Sequence, residues 1–389
     1  MNLVVPDVDF VEFHRSLAAG PRRVITSPLV TELAPIAFVL PNDRVVTYRL
    51  VDGEITFEMH VADDADTVVE FSDASFSAFA SEYLSAPGVH IQQMVRYSRG
   101  GFGLLDEWEP LLRFLYNGRP VYDPTAFADL DTTTEFVWGR DSLDDIARSF
   151  RANGYAVVRK VFTAGEVAVF DAELDRLAAA ASPTDGESWW VTGPDGIDRV
   201  CQLHYTSLSS PSIAALEGDA RVRALVDCAD PSFVAHPDHG NGHFAVLKNP
   251  GVQGGLTDLA WHVDCGLGGH PVLCPSMHLG VQVRPMNAET GEMQFLAGSH
   301  LATARRPAGG EAVALPIVRV TAEPGDVTLH FPDAMHAAPP PAGGGPGRRT
   351  IYLSYGPASL NEVFGHKEGY DQMLFKGDGH VGFDHSDNA

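Results

Sequence analysis

The chain is short of lysine, of cysteine and of long apolar runs, and each shortage closes off a class of function. Its 389 residues hold four lysines (Lys160, Lys248, Lys367 and Lys376), and Lys and Arg together number 27 against 51 Asp and Glu, for a formal charge of −24. A surface with that balance repels phosphate backbones and anionic headgroups, so neither nucleic acid nor a membrane is an expected partner. No run of about 18 apolar residues occurs, which argues against a spanning helix. Cys201, Cys228, Cys265 and Cys274 include no CxxC pair, so a disulfide framework, a zinc ribbon and a redox motif are all disfavoured. Free thiols in a reducing compartment are expected instead. The opening "MNLVVPDVDFVEFHRS" lacks the basic start and apolar run of a secretory signal, and the expected location is cytoplasmic.

What remains is an ordinary soluble composition, 44% hydrophobic and 20% charged, with length for two or three domains. Patterning breaks between two regions, which divides the chain into a domain at 1–124, a linker at 125–141, a larger domain at 142–360 and a tail at 361–389. In the first region "RVVTYRLV" and "EITFEMHV" (54–61) flank Asp52-Gly53, a hairpin signal. "TVVEF" (67–71) reads as a third strand, "SDASFSAFASEYL" (72–84) as a helix, and "LLDEWEPLLRFLYNG" (104–118) as a helix started or kinked at Pro110. After the linker, Ser142 caps a helix that stops at Gly154, a short strand follows, and Thr163 and Glu166 stand at capping-box spacing. From about residue 187 short strands alternate with Gly/Pro turns: "HFAVLKN", "LAWHVD", "MHLGVQV", "EMQFL", "DVTLHF" and "TIYLSY". That rhythm predicts a sandwich or barrel, with a jelly roll a natural member.

The chemistry-bearing residues lie in this second region. In a strand "LAWHVD", His262 and Asp264 project to one face while Trp261, Val263 and Cys265 point away. One imidazole and one carboxylate do not hold a catalytic metal; a third ligand must come from elsewhere. Two histidines and a carboxylate on one face of an octahedron leave three positions open, which suits non-haem Fe(II) and O2. His330 and His336 in "GDVTLHFPDAMHAAPPPAGGGPGRRTIYLSY" compete for the third place. Arg348 and Arg349 open the next strand, where a guanidinium can grip a carboxylate through two parallel hydrogen bonds.

Residues 140–356 resemble the phytanoyl-CoA dioxygenase family of Fe(II)/2-oxoglutarate-dependent oxygenases. The likeness rests on the entry around "NGYAVVRKVF", on "LKNPG" followed by "WHVD", on "GEMQFLAGSH", on "GDVTLHFPDAMHAA" and on "RRTIYLSY". It implies a mainly β double-stranded β-helix (jelly roll) with flanking helices. It also implies Fe(II) on His262, Asp264 and His336, 2-oxoglutarate as cosubstrate on Arg348 (Arg349 being the one-residue slip), and O2 as oxidant. Lys248 matches a lysine that in some members lies near the cosubstrate or substrate, and a solvated strand-end lysine is the plain alternative. Gln202, His204, Cys265 and His270 are candidate substrate-pocket residues, with Cys265 to His270 read as a pocket rim. His278 and His300 read as hydrogen-bonded structural histidines, and the tail as an oligomer-contacting or loose segment. The activity implied is oxidation of a C–H bond in a small organic substrate, hydroxylation first, with release of succinate and CO2. Desaturation, cyclisation and epimerisation begin with the same hydrogen abstraction. Where relatives carry Gly-Ser after the distal histidine this chain has Ala337-Ala338, and Ala297 stands where they often have proline. Asp264 is intact, which disfavours halogenation.

The small α+β region, over roughly 28–118, resembles the sterol carrier protein type 2 fold in the order of its elements. That likeness favours a hydrophobic substrate. It also supports a second reading, a lipid or acyl carrier with an inert jelly roll. A third reading places zinc in a hydrolytic site, which has no need of the arginine. The oligomeric state stays open, with a homodimer one choice.

Overall fold

The computed structural model describes residues 5–20, 24–30, 32–267, 272, 274–308, 313–342, 345–363 and 365–367. In the N-terminal module helix α1 (Phe10–Ala19) precedes strands β1 (Ile36–Leu40), β2 (Arg44–Val51), β3 (Glu54–Glu58) and β4 (Thr67–Phe71); helices α2 (Asp73–Ala80) and α3 (Ala86–Ile91), strand β5 (Val95–Arg99) and helix α4 (Phe102–Asn117) follow. The sheet runs β3-β2-β1-β4-β5. The Asp52-Gly53 hairpin forms as expected, with Val51 opposite Glu54, although β3 stops at Glu58. Helix α4 starts at Phe102, well before Pro110, which lies buried inside it. A proline there forfeits one helical hydrogen bond, and the burial of Leu105, Trp108, Leu111, Leu112 and Leu115 offsets the loss. Phe10, Phe38, Tyr48, Phe76 and Trp108 fill the space between sheet and helices, all fully buried.

The remaining chain builds two sheets. Its strands are β6 (Phe136–Val137), β7 (Tyr155–Arg159), β8 (Ser188–Thr192), β9 (Asp198–Leu203), β10 (Val234–Ala235), β11 (Phe244–Lys248), β12 (Leu259–His262), β13 (Met277–Gln282), β14 (Met293–Leu296), β15 (Ile317–Val320), β16 (Val327–His330), β17 (His336–Ala338) and β18 (Arg348–Gly356). One sheet runs β6-β7-β16-β13-β18-β11-β9-β8 with β10 added beside β18, and a second runs β12-β17-β14-β15. The span 125–141 thus contributes β6, which pairs in parallel with β7. Helices α5 (Leu143–Asn153) and α6 (Ala164–Ala180) cover the outer face of the large sheet, against Ile351, Leu353 and Leu279. Helix α5 is capped by Ser142 and closed by Gly154 at φ 86°, a left-handed turn that a side chain would strain. Thr163 and Glu166 form the expected capping box on α6.

Between the sheets Val246, Phe295, Tyr155, Met293 and Tyr352 make the inner core. Strand alternation along β18 sends Arg348, Thr350 and Tyr352 inward, while Ile351 and Leu353 join the outer core. The two-layer, mainly β architecture is the expected jelly roll, reached by more strands than the sequence pattern marks.

Candidate metal centre

Strand β12 ends at His262, so Asp264 lies just beyond it and not within a continuous "LAWHVD" strand. A backbone hydrogen bond from Asp264 N–H to the Pro332 carbonyl, 2.8 Å long, fixes it there. His336 opens β17, directly opposite His262 in the β12–β17 register. Pairing across a sheet thus brings two imidazoles together, with ring centroids 4.3 Å apart. Asp264 Oδ1 stands 3.4 Å from His262 Nε2 and 3.6 Å from His336 Nε2. One ligand atom from each of the three residues falls within 4.8 Å of the others.

The tautomers suit a metal. His262 Nδ1 meets the Ala260 carbonyl at 2.6 Å and His336 Nδ1 meets the Ala334 carbonyl at 2.9 Å. A carbonyl only accepts, so the proton sits on Nδ1 in both and the Nε2 lone pairs face Asp264. Burial pushes the His336 imidazole down to about 3, which keeps it neutral. Burial alone would raise the Asp264 carboxyl; positive charge on the Nε2 side of His336 and His262 holds it well below the usual carboxylate range, and with the tautomers above a divalent ion is what supplies that charge. Neutral imidazoles around an ionised carboxylate are the protonation states that a divalent ion requires.

A second polar group lies on the inner face of β18. Arg348 is buried, with 2% of its surface exposed. Its Nη1 donates to the Gly291 carbonyl at 2.8 Å, its Nη2 to Tyr352 Oη at 2.7 Å and its Nε to Thr350 Oγ1 at 3.2 Å. All three acceptors are neutral, and no acid among the described residues reaches it. Lys248 is not a solvated strand-end lysine: it is 2% exposed and directly opposite Arg348 in the β11–β18 register. Its Nζ donates to the carbonyls of Ala338 and Pro339 at 2.6 Å each. Burial and the Arg348 charge push the Lys248 ammonium well below its usual range. Like charges opposite one another in a buried register are unfavourable without an anion. Arg349, one residue on, faces the other way and pairs with Asp171 and Asp175 of α6.

The other expected pocket residues are scattered. Gln202 is buried opposite Val246 and turns inward with it. His204 lies past the end of β9 against the Trp189 ring. Cys265 is not on a rim: it is 1% exposed and packed with Cys274 and Leu360. His270 lies outside the described residues, as does the tail from 368 onward. Trp261 and Val263 pack beside Tyr122, Leu296 and Met335, away from the carboxylate. His300 hydrogen-bonds the Arg151 carbonyl and stacks on Phe331, as a structural histidine does. His278 is hydrogen-bonded too, its Nδ1 to Ser354 Oγ at 3.2 Å, but it also reaches the carboxylate. His278 and His330 stand 3.7 and 3.8 Å from Asp264 Oδ2, a placement invisible along one strand. The N-terminal module grips the segment after Asp264: Ser85 N–H and Oγ both donate to the Gly266 carbonyl, and Gln92 Nε2 donates to the Leu267 carbonyl at 2.7 Å.

A jelly roll that offers two neutral imidazoles and one carboxylate to an ion, with a buried unpaired arginine on the same inner face, defines a metal-dependent enzyme of the non-haem iron type. The chain belongs to the phytanoyl-CoA dioxygenase (PhyH) family, whose model matches residues 150–350. Membership makes it an enzyme that uses iron and 2-oxoglutarate. Among solved structures it is similar to the non-heme alpha ketoglutarate dependent epimerase SnoN from nogalamycin biosynthesis, 25% identical over 56% of this chain and 83% of that chain, with a TM-score of 0.43. It is similar to AviO1 from Streptomyces viridochromogenes Tue57, at 22% identity over 56% and 96%, with a TM-score of 0.45. EctD from S. alaskensis, solved with 2-oxoglutarate and 5-hydroxyectoine, is 23% identical over 59% and 82%, also with a TM-score of 0.45. No curated protein matches the chain. The family match begins at residue 150, so the sterol-carrier likeness of 28–118 has no counterpart in it. No described helix is long and apolar enough to cross a membrane.

Proposed function

We propose that the enzyme hydroxylates a C–H bond of a small organic molecule, with Fe(II) held by His262, Asp264 and His336 and 2-oxoglutarate held at its far carboxylate by Arg348. The observation that carries the reading is the Arg348 guanidinium, buried beside Lys248 with neutral partners only. A buried cation without a counter-ion costs several kcal/mol, roughly 3–5 by analogy with broken buried pairs. A dianionic cosubstrate repays that cost; an inert jelly roll or a hydrolytic zinc site does not.

When bound, iron and 2-oxoglutarate supply the oxidising chemistry: O2 and the 2-oxo acid give succinate and CO2, and one oxygen atom goes to the substrate. The chain's own residues do the rest. His262 and His336, tied by Nδ1 to backbone carbonyls, hold fixed orientations through turnover. Arg348 and its Tyr352, Thr350 and Gly291 contacts fix where the distal carboxylate sits, which sets the reach of the 2-oxo end. Phe295, stacked over His336 with centroids 5.7 Å apart, shields that imidazole from water. Lys248, whose charged form is disfavoured by burial and by Arg348, is stabilised in that form when an anion arrives.

Anaerobic addition of Fe(II) and 2-oxoglutarate should produce the weak visible charge-transfer band of the chelate. His336→Ala should take up no iron under conditions that saturate the unaltered protein, while His330→Ala still binds it, more weakly. Absence of the band, or iron retained by His336→Ala and lost from His330→Ala, overturns the assignment.

A further inference from the structure

The two sheets each bring one cross-strand pair of histidines to the same carboxylate. His262 and His336 face each other across β12 and β17 of the small sheet. His278 and His330 face each other across β13 and β16 of the large sheet, with ring centroids 5.3 Å apart. Asp264 lies between the pairs. Its Oδ1 is turned to the first, at 3.4 and 3.6 Å, and its Oδ2 to the second, at 3.7 and 3.8 Å.

Hydrogen placement separates the two pairs. In the first, both Nδ1 atoms donate to carbonyls, which leaves Nε2 lone pairs for a metal. His330 is 2% exposed, and its Nδ1 meets no hydrogen-bond partner. The Asp264 carboxylate is the acceptor its Nε2 faces, and a neutral imidazole next to an anion places its one proton on the facing nitrogen. His330 therefore presents an N–H to Asp264, where His262 and His336 present lone pairs. His278 is less free to do so, since its Nδ1 contacts Ser354 Oγ, which itself donates to the Gly242 carbonyl.

We propose that His330 is a positioning residue for the metal site: its Nε2–H faces the outer oxygen of Asp264 from 3.8 Å and closes on it when the metal draws Oδ1, so that the carboxylate meets the metal through Oδ1 alone. The inference rests on the metal-site reading above. Its consequence is a coordination count. Three protein atoms and the two donor oxygens of a 2-oxo acid occupy five places of an octahedron, and the sixth is the one O2 needs. A carboxylate free to swing both oxygens onto the metal would fill that place. His330 prevents the swing from the side opposite the metal.

The test uses the metal-free enzyme and cobalt(II), an oxygen-stable stand-in for Fe(II), with affinity as one readout and the metal-minus-apo infrared difference spectrum as the other. The splitting of the carboxylate stretches is wide for a one-oxygen ligand and narrow for a two-oxygen one, and a merely structural role does not move it. His330→Leu should bind cobalt about 10- to 100-fold more weakly, as loss of a partner behind a ligand does, and should narrow the splitting. His330→Gln, whose amide N–H falls near the position of Nε2, should recover most of the affinity and the wide splitting. His330→Asn, whose amide falls near Nδ1, should not. Wild-type affinity and splitting in His330→Leu overturn the proposal; if that variant does not fold, equal behaviour of the Gln and Asn variants overturns it. An unaltered protein that takes up no cobalt overturns the metal-site reading itself, and this one with it.

Discussion

The N-terminal module and the jelly roll both cover an interior with strands, yet they fill it in opposite ways. Behind β1–β5 the inside is aromatic: Phe10, Phe38, Tyr48, Phe76 and Trp108 are fully buried, and Phe38 meets Tyr48 edge-on at 5.2 Å. The inner face of the large sheet instead carries Lys248, Gln282, His330, Arg348 and Thr350, all nine-tenths buried or more. Buried polar groups are tolerated where partners satisfy them. Here the cations have neutral partners and His330 has an orphaned nitrogen. The aromatic interior is built for stability, and the polar one gives up stability that a ligand restores.

That contrast breaks first, and by the largest margin, at Trp108. The ring is buried, and its Nε1 donates to the Ala34 carbonyl at 2.9 Å. Trp108→Ala should cost about 3–5 kcal/mol of stability, read as a lower midpoint in chemical denaturation. Cobalt affinity per folded molecule should be unchanged. A stability loss under 1 kcal/mol, on the order of a surface substitution, would mean that the interior is less tightly filled than the contacts indicate.

Arg348→Ala should behave in the reverse way. The ligand-free protein should be as stable as the parent or more so, because a buried like-charge neighbour of Lys248 has gone. The dissociation constant for 2-oxoglutarate should rise by about 30- to 1,000-fold, equivalent to roughly 2–4 kcal/mol for a buried charged contact. Calorimetric titration without oxygen separates this from any effect on turnover. Unchanged affinity would remove Arg348 from the cosubstrate site.

The chemistry was legible in the sequence where it depends on neighbours along the chain, and illegible where it depends on register. His262 and Asp264 are two residues apart, and alternation separates Arg348 from Arg349 once β18 is recognised. His336 opens β17, a strand the sequence does not mark because "HAA" is too short to show a period. Nothing in "MHLGVQV" or "DVTLHF" indicates that His278 and His330 face each other, since the β13–β16 pairing joins segments about fifty residues apart. The two readings of Lys248, beside the cosubstrate or solvated at a strand end, are not separated along β11, because its exposure is decided by Arg348, a hundred residues downstream. Helix α4 crossed Pro110 because its apolar face outweighs one missing hydrogen bond, a balance that only packing reveals.

The smallest expected effect tests the join between the two regions. Asp333 lies in the turn between β16 and β17, and burial pushes its carboxyl up to about 7 against the pull of Arg119, which follows helix α4 of the N-terminal module. A carboxyl raised above its unfolded value near 4 favours folding only while it is protonated. Its contribution is intact below about pH 4 and is lost as pH climbs through about 7. Asp333→Asn, which stays neutral throughout, should therefore stabilise the metal-free protein relative to the parent at pH 8, by roughly 1–3 kcal/mol after allowance for partial solvent access. The advantage should shrink steadily toward pH 4.5. Denaturant midpoints of the two proteins, taken in parallel across that range, cancel every other titrating group. No advantage at pH 8, or a loss of stability there, would mean that Asp333 stays ionised beside Arg119, making the join an ion pair and not a neutral contact.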